Sequence, residues 1–235
     1  MIPVEQSSQT LKRPTDCTIF LLRHGAVQST GSGKRYIGHT DLPLSDIGRE
    51  QAHRWAGYFS DAGLKDIYSS DLSRCLETAR IIAARGSLEP RALPEFREIS
   101  LGAWEGQPFD TIKTLYPEEF ELRGDCIADH RPPGGESFRD MQDRVWPNFQ
   151  KIARQRAGNT LIVTHAGVIR VLICRLLDMS LDRLFSIGQA YGALNIIEVR
   201  TKGYRIQALN LPIPEYSRPE FLTPGNQISV TNGTC

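Results

Sequence analysis

A chain of 235 residues, 40% hydrophobic and 23% charged, is long enough for one sizeable α/β core, and it holds no run near the ~18 apolar residues of a membrane span. Its formal net charge of +1 argues against nucleic acid or an anionic membrane as partner, so any anion site must come from a local cluster of basic groups. Five cysteines, at 17, 75, 126, 174 and 235, form no CxxC pair, which speaks against a zinc ribbon or disulfide framework and suits reduced thiols in a cytoplasm.

Residues 1–16 are polar, unpatterned and without the apolar segment of a signal peptide; a loose leader is expected there. The apolar run at 18–23 reads as a buried strand that ends abruptly in Arg23, His24 and Gly25. A loop rich in Gly and Ser leads to a helix capped by Ser45, with Asp46 in its first turn and Ile47, Trp55 and Phe59 on its buried face. "KDIYSSDLSRCLETARIIAARG" predicts a short strand, a turn, and a helix opened by Asp71 or Ser73 with Leu72, Leu76, Ala79 and Ile82 as its apolar stripe. A helical insertion is expected at 108–124. A long helix should run from Ser137 to about 157, kinked or divided by Pro147. "NTLIVTHAGVIRVLICRLL" gives a continuous apolar strand, then His165, then a helix, and two further strands are expected near 193–200 and 204–210. The reading is therefore a leader (1–16), one domain (17–210) and an irregular tail (211–235), the domain being a three-layer α/β/α sandwich with a mainly parallel, mixed sheet.

In such folds ligands collect beyond the carboxyl ends of the strands. Arg23, His24 and His165 all lie at such ends. A cation at the rim of a core calls for an anion, and Gly25, Ala26, Ala166 and Gly167 are small enough to let a ligand approach the backbone. Ala166 and Gly167 also open a helix, where amide groups face an anion. Arg74 sits near a helix N-terminus, against the helix dipole, which favours an external anion as its partner. Arg35, in the loop after the first strand, is a weaker candidate, for which exposure to solvent is the rival reading. Glu98, in "FREISLGAWEG", follows an apparent strand, and on composition alone Glu95 or Glu105 would serve as well. His39, His53 and His130 show no metal-ligand spacing, and no cofactor or metal is expected.

"LLRHG", "YIGHTDLPLSDIGREQA", "YSSDLSRCLETA", "REISLGAWEG", "PPGGESF" and "VTHAGVIR" together, in this order over roughly residues 18–200, resemble the histidine phosphatase (phosphoglycerate mutase-like) superfamily. The branch most similar in look comprises α-ribazole phosphatases and broad-specificity phosphomonoesterases. The resemblance implies that His24 is a nucleophile forming a phosphohistidine, that Arg23, Arg74, His165 and the Ala166 amide surround the phosphoryl oxygens, and that Glu98 serves the leaving group as acid and then water as base. Many relatives carry an asparagine six residues after the nucleophile; here that position is Thr30, so Thr30 or Arg35 would complete phosphate binding.

Rival chemistries fit these residues less well. Cys17 and Arg23 fit the C-x5-R pattern of cysteine-dependent phosphatases, but an extended strand sets them ~20 Å apart at ~3.3 Å per residue, unlike a phosphate-cradling loop. A cofactor-dependent phosphoglycerate mutase would carry a basic insertion after Glu98, whereas residues 108–137 hold more acid than base. A non-catalytic phospho-ligand binder would not need His24 and Glu98 in place. What the resemblance implies is hydrolysis of a small phosphate ester, of the α-ribazole 5′-phosphate, sugar phosphate or phosphorylated three-carbon acid kind, and a cytoplasmic enzyme is expected. The residues leave its oligomeric state open.

Overall fold

Alternation within the strands decides the layering. In β1 (Cys17–Arg23) Ile19 and Leu21 join one core while Phe20 and Leu22 join another, all of them buried. A strand apolar on both faces must be covered on both faces. The structure is a computed structural model that describes residues 17–29, 31, 33–155 and 158–214; the expected leader, Thr30 and the tail from 215 onward lie outside the described residues.

Six strands form one mixed sheet, in the order β3 (Arg91–Ala92), β2 (Leu64–Ser69), β4 (Asn159–Thr164), β1, β5 (Leu194–Arg200), β6 (Gly203–Leu211). The first four run parallel to one another, and β5 and β6 add antiparallel pairs at one side. On one face α1 (Asp46–Phe59) and α2 (Ser73–Ala83) pack through Trp55, Phe59, Cys75, Ala79 and Ile82 onto Phe20, Leu22, Leu161 and Val163. On the other, α5 (Phe138–Gln155) and α6 (Ala166–Leu176) cover Ile19, Leu21, Ile162 and Ile197. The insertion forms α3 (Phe109–Leu115) and α4 (Pro117–Asp125). This is the expected α/β/α sandwich.

Several local expectations need correction. Ser45 caps α1, its hydroxyl accepting from the Gly48 amide at 3.1 Å, but Ile47 is 68% exposed. The buried stripe is Gly48, Ala52, Trp55, Ala56 and Phe59; one residue is about 100° of helix, so Ile47 falls to one side of it. α2 opens at Ser73, one of the two residues expected, with Leu72 at the cap position; Asp71 is paired with Arg97, and Asp41 accepts from both the amide and the hydroxyl of Ser73 at 2.8 Å. Leu76 is only partly buried, and Cys75 takes its place in the stripe. Ser137 and Asp140 do form a reciprocal capping pair at the start of α5. The helix then continues undivided through Pro147, whose missing N–H falls opposite the carbonyl of exposed Asp143. The strand expected before Glu98 is only the two residues of β3, and a 3-10 turn (Pro94–Phe96) separates it from Glu98.

Candidate active site

Strand register builds the site. β1 and β4 are parallel neighbours with Arg23 opposite Thr164, and the His24 amide donates to the Thr164 carbonyl at 3.0 Å. The next residue on each strand is a histidine, so His24 and His165 leave the sheet side by side, ring centroids 5.2 Å apart. β2 ends at the same level, and the Ser70 amide donates to Val163. Two residues 141 positions apart thus meet because two buried strands pair in one register.

The proton positions follow from the partners. His24 Nδ1 lies 2.7 Å from the Gly25 carbonyl, which can only accept, so Nδ1 carries the hydrogen and Nε2 keeps its lone pair. Burial, then the charges of Arg23 and Arg74, hold the His24 imidazole well below its ordinary pKa. The ring is therefore a neutral base at neutral pH. His165 Nδ1 accepts from Arg74 Nε at 3.3 Å, so its Nε2 carries the hydrogen and meets the Ser70 hydroxyl at 2.9 Å. Burial, Arg74 and His24 likewise hold His165 well below the usual range.

The two arginines are held differently. Arg74 is 2% exposed; besides His165 it donates from Nη1 to the Thr40 carbonyl at 2.8 Å and from Nη2 to the Gly38 carbonyl at 2.7 Å, with Asp41 3.9 Å away. A guanidinium has five N–H groups, so one on each Nη remains free of these bonds. Arg23 donates from Nη1 to the Gln189 carbonyl at 2.7 Å, and its guanidinium carbon lies 3.8 Å from the centroid of the Tyr191 ring. Its Nε is buried and has no partner among the described residues. A buried charged donor left unpaired costs a few kcal/mol, and an anion placed there removes that cost.

Glu98 sits where α6 begins. One carboxylate oxygen accepts from the Gly167 amide at 3.1 Å and the other from Ile99 at 3.1 Å, while Arg23 and Arg170 both feel its charge. A Cβ on Gly167 would lie 2.3 Å from Glu98 Oε1. The space at Gly167 is thus taken by the Glu98 carboxylate, not by a ligand approaching the backbone. Gly25 needs the same correction: a Cβ there would lie 2.3 Å from the Gly48 carbonyl oxygen, so this glycine lets α1 pack against the end of β1.

The other sequence candidates separate clearly. Glu105 accepts from the amides of Gly38, His39, Thr40 and Leu101 and from the Thr40 hydroxyl. Burial alone would push its pKa up, yet these donors, led by the Thr40 hydroxyl, hold it below the ordinary value. It fixes the loop whose carbonyls hold Arg74. Glu95 offers its carbonyl to Arg144. Arg35 is tied to the insertion, donating to the Gly106 carbonyl at 2.9 Å and bridging Pro108, and makes no contact with the histidine pair among the described residues. Cys17 and Arg23 stand at opposite ends of β1, as an extended strand requires. Among the described residues no group of three His, Cys, Asp or Glu is placed to hold a metal ion, and no helix is long and apolar enough to cross a membrane.

Sequence reasoning missed three contributors. Ser70 touches His165 and was signalled only by its place just after a strand. Thr78 accepts from the Gly25 amide at 3.2 Å and donates to the Arg74 carbonyl, linking the two site segments. Tyr191 faces His24 with ring centroids 5.6 Å apart and covers Arg23. Nothing in "GQAYGALN" marks it.

Known proteins similar to this chain share its fold. The family model described as histidine phosphatase superfamily (branch 1) matches residues 19–212. Phosphoglycerate mutase-like protein 4 of Arabidopsis thaliana is 37% identical over 66% of this chain and 68% of its own length. The adenosylcobalamin/α-ribazole phosphatase of Escherichia coli is 27% identical over 82% of this chain and 95% of its own. Among solved structures, Bacillus stearothermophilus YhfR superposes with a TM-score of 0.76 at 34% identity, over 83% of this chain and 98% of that one. A mycobacterial glucosyl-3-phosphoglycerate phosphatase in complex with vanadate superposes with a TM-score of 0.74 at 27% identity, over 83% and 100%.

Proposed function

Since this chain belongs to the histidine phosphatase superfamily, we propose that it hydrolyses small phosphate monoesters through a phosphohistidine at His24. The observation that carries the proposal is a single juxtaposition. An imidazole with a free Nε2 lone pair lies within the field of the Arg23 guanidinium, whose buried Nε lacks a partner among the described residues. A phosphoryl group fits both: its phosphorus is the electrophile for Nε2, and its oxygens are the acceptor for Nε–H.

In the first step His24 Nε2 attacks phosphorus, the P–O ester bond breaks, and Glu98 delivers a proton to the departing alkoxide. In the second, Glu98 takes a proton from water, the hydroxide attacks phosphorus, the P–N bond breaks, and phosphate leaves with neutral His24 restored. Arg23, the free N–H groups of Arg74 and the Ala166 amide stabilise charge on the equatorial oxygens, and His165 joins them when its Nε2–H turns from the Ser70 hydroxyl to a phosphoryl oxygen; one such donor is typically worth about 3 kcal/mol. Arg74 has a second task in this scheme, since its Nε–H fixes the tautomer of His165.

A mutase would need cations from the insertion to grip the rest of its substrate. Here Arg123 is buried against Trp104 and Phe138, and Arg131 is bound to Asp140, which favours hydrolysis over phosphoryl return. The relatives named for α-ribazole and glucosyl-3-phosphoglycerate phosphatases make phosphorylated sugars and ribazoles the first substrates to test. The deciding experiment is a kinetic screen of phosphomonoesters run alongside a phosphoglycerate mutase assay. Phosphate release with kcat/KM well above the mutase rate is expected. Mutase turnover exceeding phosphate release, or neither activity, would overturn the proposal.

A further inference from the structure

We propose that Tyr191 and Asn195 are positioning residues for Arg23, fixing its guanidinium so that Nε faces the phosphoryl site. The inference rests on the reading of Arg23 as a phosphate ligand.

An arginine on a strand end has a long stem with about 2 kcal/mol of rotamer entropy, so presenting one chosen N–H requires that the side chain be held elsewhere. Two contacts do this. The Gln189 carbonyl takes Nη1, and the Tyr191 ring covers the guanidinium, whose carbon sits 3.8 Å from the ring centroid. The Nε–H is left buried and, among the described residues, unpaired. Both contacts come from one short segment, 189–191, which lies between a 3-10 turn (Leu181–Ser186) and β5 and has no ladder of its own.

Asn195 supplies the order that this segment lacks. It is fully buried in β5, in the otherwise apolar run "ALNII", where a polar side chain is costly unless every group is paired. Every group is paired. Its two amide hydrogens go to the Leu21 carbonyl at 3.2 Å and Gln189 Oε1 at 3.0 Å, and its oxygen accepts from Gln189 Nε2 at 2.8 Å and from the Asn210 amide at 2.9 Å. An asparagine side chain has two donors and two lone pairs, so nothing is left over. Asn210 closes the network by accepting from the Ala190 amide at 2.8 Å, next to the irregular register between β5 and β6. The chain bonded through Leu21 is β1 itself, two residues before Arg23. Asn195 therefore ties the strand that carries Arg23 to the segment that clamps it. A fully satisfied buried network specifies one geometry rather than several.

A purely structural network and a positioning one differ in a double-mutant cycle. The readout is the inhibition constant for inorganic phosphate, with p-nitrophenyl phosphate as substrate. Asn195→Leu and Tyr191→Leu are each expected to weaken phosphate about tenfold in the native background, the scale of one hydrogen bond to a charged group. In an Arg23→Lys background, where no guanidinium remains to be held, each should change it by less than about twofold. Tyr191→Phe keeps the ring and should restore native inhibition. Equal fold-changes in both backgrounds would overturn the proposal alone. Arg23→Lys without effect on phosphate would remove the premise, and the proposal with it. Should Asn195→Leu fail to fold, Tyr191→Leu carries the same test, because Tyr191 is 39% exposed and its loss leaves the buried network intact.

Discussion

Substituting Gly167 by alanine separates the fold from the chemistry. The added methyl group would lie 2.3 Å from Glu98 Oε1, 3.2 Å from Glu98 Cδ and 3.2 Å from Met141 Cε. Two of these atoms belong to the far end of one flexible side chain, so the structure relieves the clash by swinging the Glu98 carboxylate away. Overpacking typically costs about 1–3 kcal/mol, offset by about 1 kcal/mol from the better helix propensity of alanine. The net loss is about 0–2 kcal/mol, or a fall in Tm of at most roughly 8 °C for a domain of this size. Catalysis loses more. Displacing a general acid costs about 10²–10⁴-fold where the leaving group needs a proton, and little where it does not. Glycerol phosphate should therefore lose two or more orders of magnitude in kcat/KM, on the order of general-acid removal, while p-nitrophenyl phosphate, with its stable phenolate, should be nearly unaffected. Steady-state kinetics on both substrates, with a thermal melt as the folding control, make the comparison. A folded Gly167→Ala protein that keeps full activity on the alkyl ester would refute the placement of Glu98, and equal losses on both would refute its acid role.

Gly25→Ala should behave in the opposite way. Its Cβ meets the Gly48 backbone at 2.3–2.9 Å, so α1 must part from the end of β1. A loss of at least about 1–3 kcal/mol is expected, read as a lower Tm; an unchanged melt would show that this packing is looser than described. Stability should also depend on acidity. His24 and His165 are held neutral by burial and neighbouring arginines, so below about pH 6.5 the unfolded chain binds protons that the folded chain does not. Stability is then fully present above that value and falls as pH drops toward the depressed folded pKa, by up to about 1.4 kcal/mol per pH unit for each histidine. Urea melts between pH 7 and 5 should show this slope, reduced in His24→Gln and His165→Gln; an identical slope in those variants would contradict the assignment.

Much of this arrangement is legible in sequence because it depends on strand periodicity. Two apolar strands, each ending in a histidine followed by small residues, suffice to place His24 beside His165 if the strands are parallel neighbours. What sequence does not carry is the occupant of each small space. Gly25 and Gly167 suggest room for a ligand, yet one admits Gly48 of α1 and the other the Glu98 carboxylate. The choice among Glu95, Glu98 and Glu105 is likewise tertiary, because only the folded loop shows Glu105 bound to the amides of residues 38–40. Ile47 misleads by a single residue of helical phase, and Arg35 is claimed by a bridge to Pro108 that no local pattern announces. Tyr191 and Asn195 stay hidden for a similar reason: their partners, Arg23 and Gln189, are assigned by the sheet edge rather than by spacing.

The central claim is that His24 takes the phosphoryl group, and trapping that species tests it most directly. Brief incubation with a phosphorus-labelled ester, quenched in alkali and digested, should leave a base-stable, acid-labile label on the peptide containing His24. It should be absent from His24→Ala, which should also have lost its phosphatase activity. A label that survives acid, that maps to a cysteine, or that persists in His24→Ala would contradict the account.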